Sequence, residues 1–135
     1  MREILFRGKR IDNGKWIEGL PYKAKYGGIS SIVDIDEERH LIIPETVGQY
    51  TGLTDKNGKR IFEGDIVKCI EITRYKEIEY ISPVVFLDGS WFLHESEDCD
   101  VYLYNYDTEG IERLWEIEVI GNIHDNPELL EGGTE

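Results

Sequence analysis

The sequence predicts a mainly β fold of short strands closed into a small barrel, with α+β as the alternative. Three observations carry it. Asn-Gly or Asp-Gly pairs occur at Asn13-Gly14, Asn57-Gly58 and Asp88-Gly89. They suit two-residue hairpin turns, because Asn and Asp tolerate positive φ and Gly prefers it. Several segments alternate apolar and polar residues or are rich in β-branched ones. Helix signals are few and short. Short strands joined by tight turns close most easily into a barrel, which removes unpaired edges.

The elements follow in order. Folding at Asn13-Gly14 sets Asp12 opposite Lys15, Ile11 opposite Trp16 and Lys9 opposite Glu18, all favourable cross-strand neighbours. Folding at Asn57-Gly58 sets Asp55 opposite Arg60 and Leu53 opposite Phe62, but it also faces Lys56 with Lys59, so a looser loop is the alternative. Gly64, between Glu63 and Asp65, is expected to take positive φ, with the carboxylates accepting backbone N–H bonds. Residues 66–72 read as a strand. Folding at Asp88-Gly89 sets Phe86 opposite Trp91, Val85 opposite Phe92 and Val84 opposite Leu93. Both faces of that hairpin are apolar, which predicts a central place covered on both sides. Residues 108–115 could hold one or two helical turns, weakened by Gly110. Trp115, Ile117 and Val119 alternate with Glu116 and Glu118, as on a strand with an acidic outer face. Asn126-Pro127-Glu128 is a helix start: Asn caps, Pro fits the first turn and Glu favours the positive helix end. Leu129 and Leu130 can pack that turn onto the body, and 131–135 is expected to be a disordered tail.

The 135 residues fit one domain or a domain with a small subdomain, and 40% hydrophobic with 32% charged residues is an ordinary globular balance. Cys69 and Cys99 form no CxxC pair, so two thiols in a reducing cytoplasm are expected. The N-terminus has no apolar signal region, and no apolar run reaches the ~20 residues of a membrane helix. The net charge of −13 is unevenly spread. Residues 1–31 hold seven Lys/Arg and three Asp/Glu, a local +4; residues 95–118 hold one and nine, a local −8. The balance disfavours nucleic acid as a partner. The asymmetry offers a head-to-tail pairing of copies, although charge runs more often serve only as solvated faces.

Catalytic patterns are weak. Residues 52–60 look like a phosphate loop, but five residues separate Gly52 from Gly58, and Arg60 stands where Ser or Thr must hold magnesium. His40, His94 and His124 are scattered; His94 with Asp98 and Cys99 is the closest approach to a zinc set, without the tight spacing such sites show. The run Asp34, Asp36, Glu37, Glu38 lacks the spacing and glycine of a calcium loop. Glu63 and Asp65 could form an acid–base pair only if a pocket shifted one of them, and a structural role is favoured. No cofactor or metal is expected. Tyr102, Tyr104 and Tyr106 alternate, so on a strand they form one aromatic stripe. Such a stripe packs on its own domain, forms a protein interface, or stacks bases.

Three blocks carry a family resemblance. The first runs from Met1-Arg2-Glu3-Ile4 through Phe6-Arg7-Gly8-Lys9 to Asn13-Gly14-Lys15-Trp16. The second and most specific runs from Gly48-Gln49-Tyr50-Thr51-Gly52-Leu53 through Asp55-Lys56-Asn57-Gly58 to Phe62-Glu63-Gly64-Asp65-Ile66-Val67. The third is Val119-Ile120-Gly121-Asn122-Ile123 with Asn126-Pro127-Glu128-Leu129-Leu130. In this order they resemble the YopX family, small proteins typically encoded by bacterial phages and prophages. The resemblance implies no established activity and transfers no catalytic residue. Gly48, Tyr50, Gly52, Asn57, Gly58, Glu63, Gly64 and Asp65 are its structural motif. The part from Glu63 resembles the opening of an SH3-like barrel. This implies an N-terminal β subdomain over 1–50 and an SH3-like barrel over 51–130.

The expected function is a non-catalytic phage or prophage accessory protein of the host cytoplasm that binds protein and forms a homo-oligomer. One rival is nucleic-acid binding through the basic N-terminal part with Trp16 and Tyr22. A variant is an acidic nucleic-acid mimic acting on a host protein. The third reading is an enzyme using Glu63 and Asp65.

Overall fold

A computed structural model describes residues 3–23, 28–72, 75–96, 99–106 and 115–131. The chain divides into two units, Met1–Gly52 and Leu53–Glu135. Unit 1 contains β1 (Phe6–Arg10), β2 (Trp16–Lys23), β3 (Ile29–Val33) and most of β4 (Arg39–Thr54). All neighbours are antiparallel, and β1 pairs with both β2 and β4, so the four strands close on themselves. The length of β4 makes this closure possible: residues 39–41 pair with β3, and residues 42–49 pair with β1. Ile32 and Ile42 are fully buried inside it, each gaining about 1.5–3 kcal/mol from burial.

Unit 2 begins with the end of β4, which pairs with β5 (Arg60–Phe62). One sheet has the order β11-β6-β7, from β6 (Asp65–Ile72), β7 (Glu77–Pro83) and β11 (Glu116–Asn122). The other has the order β10-β9-β8, from β8 (Val85–Leu87), β9 (Ser90–Ser96) and β10 (Cys99–Tyr102). The His94 N–H donates to Ser82 Oγ at 2.8 Å and ties β9 to β7. The result is a barrel-like partial ring around one core of Ile61, Val67, Cys69, Val84, Leu93, Leu103, Tyr106 and Ile117. Among the described residues the only helices are a 3-10 turn at Leu103–Tyr106 and α1 (Glu128–Glu131). The fold is therefore mainly β and not α+β.

The three turn pairs behave differently. At Asp88-Gly89 both residues have positive φ, 50° and 82°, and Phe86 faces Trp91 and Val85 faces Phe92, as the sequence predicts. That hairpin is not central: β8 is a three-residue edge strand, and Phe86 and Leu87 are half exposed. At Asn13-Gly14 the register differs by two residues, with Lys9 opposite Trp16 and Arg7 opposite Glu18. Asn13 keeps negative φ and uses Oδ1 to accept the Lys15 N–H at 2.9 Å, which builds a wider loop. At Asn57-Gly58 only Gly58 has positive φ, and the looser loop is the one that forms.

The strand at 66–72 lies within β6, and Ile117 is buried beneath exposed Glu116. At the C-terminal turn, Asn126 does not cap with its side chain. Its Oδ1 accepts the Asn122 N–H at 3.3 Å, while its backbone carbonyl takes the Leu129 N–H at 3.1 Å. The helix expected within 108–115 lies outside the described residues, apart from Trp115; of the tail expected over 131–135, Glu131 closes α1 and 132–135 lie outside the described residues.

Candidate functional site

The motif block of unit 2 is organised by Asp55. Its Oδ1 accepts the N–H groups of Asn57 and Lys59, both at 2.9 Å, and its Oδ2 accepts the Val119 N–H at 2.9 Å. Residues 52–60 are thus a hairpin loop clasped to β11, with amides turned onto a carboxylate that a phosphate would otherwise have to replace. Gly64 has φ 88°, and buried Asp65 accepts the Phe62 N–H at 2.7 Å. Glu63 is exposed. The two carboxylates therefore face different surroundings, and Asp65 is committed to the turn. Gly48 and Tyr50 are buried in β4, and Gly52 has φ 91°.

The three tyrosines do not form one stripe. The strand ends at Tyr102, and the following 3-10 turn breaks the alternation. Tyr102 and Tyr104 are 53% and 71% exposed, whereas Tyr106 is 4% exposed. Tyr106 donates its hydroxyl to Glu71 Oε1 at 3.0 Å and lies 2.8 Å from the Tyr80 hydroxyl, which is itself 3.3 Å from Glu71 Oε1. Glu71 is 5% exposed. Burial pushes its carboxyl above the usual range, the Tyr106 hydroxyl opposes this, and the negative Glu95 pushes it further up. Burial also raises both tyrosines, and it raises the Cys69 thiol to about 12.

Exposed Cys99 donates its thiol to Glu95 Oε2 at 3.2 Å, and that hydrogen bond pushes the thiol above its ordinary value. His94 pairs with Asp100 and not with Cys99, and Asp98 lies outside the described residues.

Tyr102 belongs instead to the outer face of the β10-β9-β8 sheet. Register sets Val85, Phe92 and Tyr102 in one row across all three strands. The Phe92 and Tyr102 ring centroids lie 4.7 Å apart. Trp91, Leu93 and Val101 point the other way, onto the core. Leu87 extends the outer face at one edge, and the His94–Asp100 pair lies beside it.

Unit 1 carries a second cluster that the scattered histidines did not announce. A five-residue turn brings His40 Nε2 within 2.7 Å of Asp34 Oδ2. Asp34, Glu38 and His40 place one ligand atom each within 4.8 Å of one another. They could share a cation only by breaking the Asp34–His40 bond, because Asp34 Oδ1 already accepts the N–H groups of Asp36 and Glu38, both at 2.9 Å. The His40 contact holds the Asp34 carboxyl below the usual carboxylate range.

Sequence reasoning missed Asp55 and Glu71 as organising groups. An Asp two residues before Asn-Gly is a signal for the first; the second depends on a partner 35 positions away and has no local signal.

Residues 5–131 match the family described as YopX protein. The chain is similar to the crystal structure of protein EF1440 from Enterococcus faecalis, at 26% identity and a TM-score of 0.63, covering 96% of this chain and 99% of that one. No curated protein matches it. The family match extends over nearly the whole sequence, from β1 to α1, and the chain belongs to the YopX family.

Proposed function

We propose that this protein is a non-catalytic interaction module of the phage or prophage accessory kind, acting in the bacterial cytoplasm, that self-associates through the outer face of its β10-β9-β8 sheet. The observation that carries this reading is the row across three strands of half-buried Val85 and Phe92 with exposed Tyr102, on the face opposite the core-packed Trp91, Leu93 and Val101. Aromatic rows of this kind give large contact area for little side-chain entropy. The occupant is a second copy. The His94–Asp100 pair beside the row offers an imidazole ring and a carboxylate, so a two-fold related copy meets each of these groups with the other. The committed state of Asp65 removes the support for an acid–base pair with Glu63.

Light scattering across a concentration series tests the proposal, using wild type and the Leu87→Ser/Tyr102→Ser variant. Wild type is expected above monomer mass and the variant at monomer mass, with little effect of salt on the apolar contact. A monomeric wild type, or a variant that associates as wild type does, would overturn it.

The charge distribution favours a second reading. Unit 1 has eight Lys/Arg and eight Asp/Glu, whereas unit 2 has seven and twenty, so unit 2 carries the whole net −13. An acidic nucleic-acid mimic has this property, and it predicts competition with DNA for a host protein. Direct nucleic-acid binding by unit 2 runs against the same charge.

A further inference from the structure

Arg39 opens β4, and two other strands, β2 and β3, fix its side chain. Its Nε–H donates to Ser31 Oγ at 3.1 Å, and Ser31 is fully buried on β3. Its guanidinium carbon lies 4.5 Å from the centroid of the Tyr22 ring on β2. Nε is thus directed inward and the guanidinium plane is backed by an aromatic ring, which leaves the two terminal nitrogens to bind. Among the described residues no Asp or Glu forms an ion pair with Arg39. The other charged groups nearby are already engaged. Arg10 holds Asp12 through two bonds of 3.0 and 2.6 Å, and His40 is bound to Asp34.

These groups line a depression of about 280 Å³, formed by Arg10, Ile11, Asp12, Arg39, His40 and Leu41. The Ile11 N–H donates to the Leu41 carbonyl at 3.2 Å and joins the two walls, while both side chains stay exposed. A planar fork with its orientation fixed in advance matches a carboxylate in two parallel hydrogen bonds. Ile11 and Leu41 supply apolar contact for a substituent beside that carboxylate. A bare inorganic anion would leave them uncovered. Asp12 stands on the rim, so a second negative charge on the ligand would meet it.

We propose that this depression binds an organic monocarboxylate with an aliphatic or aromatic substituent, such as a peptide C-terminus or a small acid, with Arg39 gripping the carboxylate. The inference is independent of self-association through unit 2.

The test is amide-resolved NMR on the full chain at neutral pH, titrated with N-acetyl-leucine, N-acetyl-leucinamide and inorganic phosphate. N-acetyl-leucine is expected to give saturable shifts at residues 10–12 and 39–41, and the amide none. Arg39→Gln is expected to weaken binding about tenfold or more, as loss of a charge-assisted pair implies. Leu41→Glu, at an exposed position, is expected to block the site even if Arg39→Gln fails to fold. A short peptide with a free C-terminus, compared with its amidated form, distinguishes a chain terminus from a small acid. No saturable shift, equal shifts with acid and amide, phosphate binding alone, or a folded Arg39→Gln that titrates as wild type would each overturn the assignment.

Discussion

Asp55→Ala removes three hydrogen bonds with one substitution and leaves their donors behind. The Val119 N–H belongs to a residue packed against the core of unit 2, and it loses its acceptor at 2.9 Å. Stranding such a donor costs about 1–3 kcal/mol. The Asn57 and Lys59 N–H groups sit on an exposed loop and recover much of their loss from water, which leaves about 0.5–1 kcal/mol each. The expected total is about 3 kcal/mol, a large share of the ~5–15 kcal/mol stability of a domain. Asp55→Asn keeps one acceptor oxygen and loses the other, so it should fall between wild type and Asp55→Ala. Urea denaturation measures both, with the slope checked for constancy so that a midpoint shift reports stability alone. A loss below about 1 kcal/mol for Asp55→Ala at unchanged slope would refute the clasp as the organiser of the motif block.

Further outcomes follow from the same structure. Glu71 has its carboxyl raised in the fold, so its contribution is fully present below the usual carboxylate value and is lost as pH rises through the raised one. Glu71→Gln should therefore raise the melting temperature more at pH 8 than at pH 4, and a pH-independent difference would contradict the burial account. Gly89→Ala forces Ala into φ 82° in open space and should cost about 1–2 kcal/mol in chemical denaturation; no change would mean that the turn relaxes freely. A thiol reagent on the native protein should modify exposed Cys99 and spare buried Cys69, whose thiol is pushed up to about 12. Cys99→Ser should abolish that reaction, and labelling that persists in the variant would place Cys69 at the surface.

The parts legible in the sequence are those set by neighbours along the chain. The register at Asp88-Gly89 is legible because both residues take positive φ, leaving a two-residue turn no other pairing. The register at Asn13-Gly14 differs from the one its dipeptide predicts because the Asn13 carboxamide engages the loop backbone, and dipeptide chemistry does not say which of its two uses Asn will take. The outward place of β8 and the inward place of Tyr106 depend on contacts far apart in sequence. Tyr106 satisfies a carboxyl on β6, so an alternating run of tyrosines was divided between surface and core by Glu71. His40 and Asp34 meet across a turn whose Glu37 takes φ 65°, a conformation that few sequences announce. The depression beside Arg39 has no sequence signature either, because the groups that hold this β4 guanidinium come one each from β2 and β3.

The most direct test of self-association is intermolecular NOE measurement on a mixture of isotope-labelled and unlabelled chain. Self-association through this face predicts cross-peaks between copies at Val85, Leu87, Phe92 and Tyr102. Cross-peaks confined to other surfaces, or none from an associated sample, would contradict it.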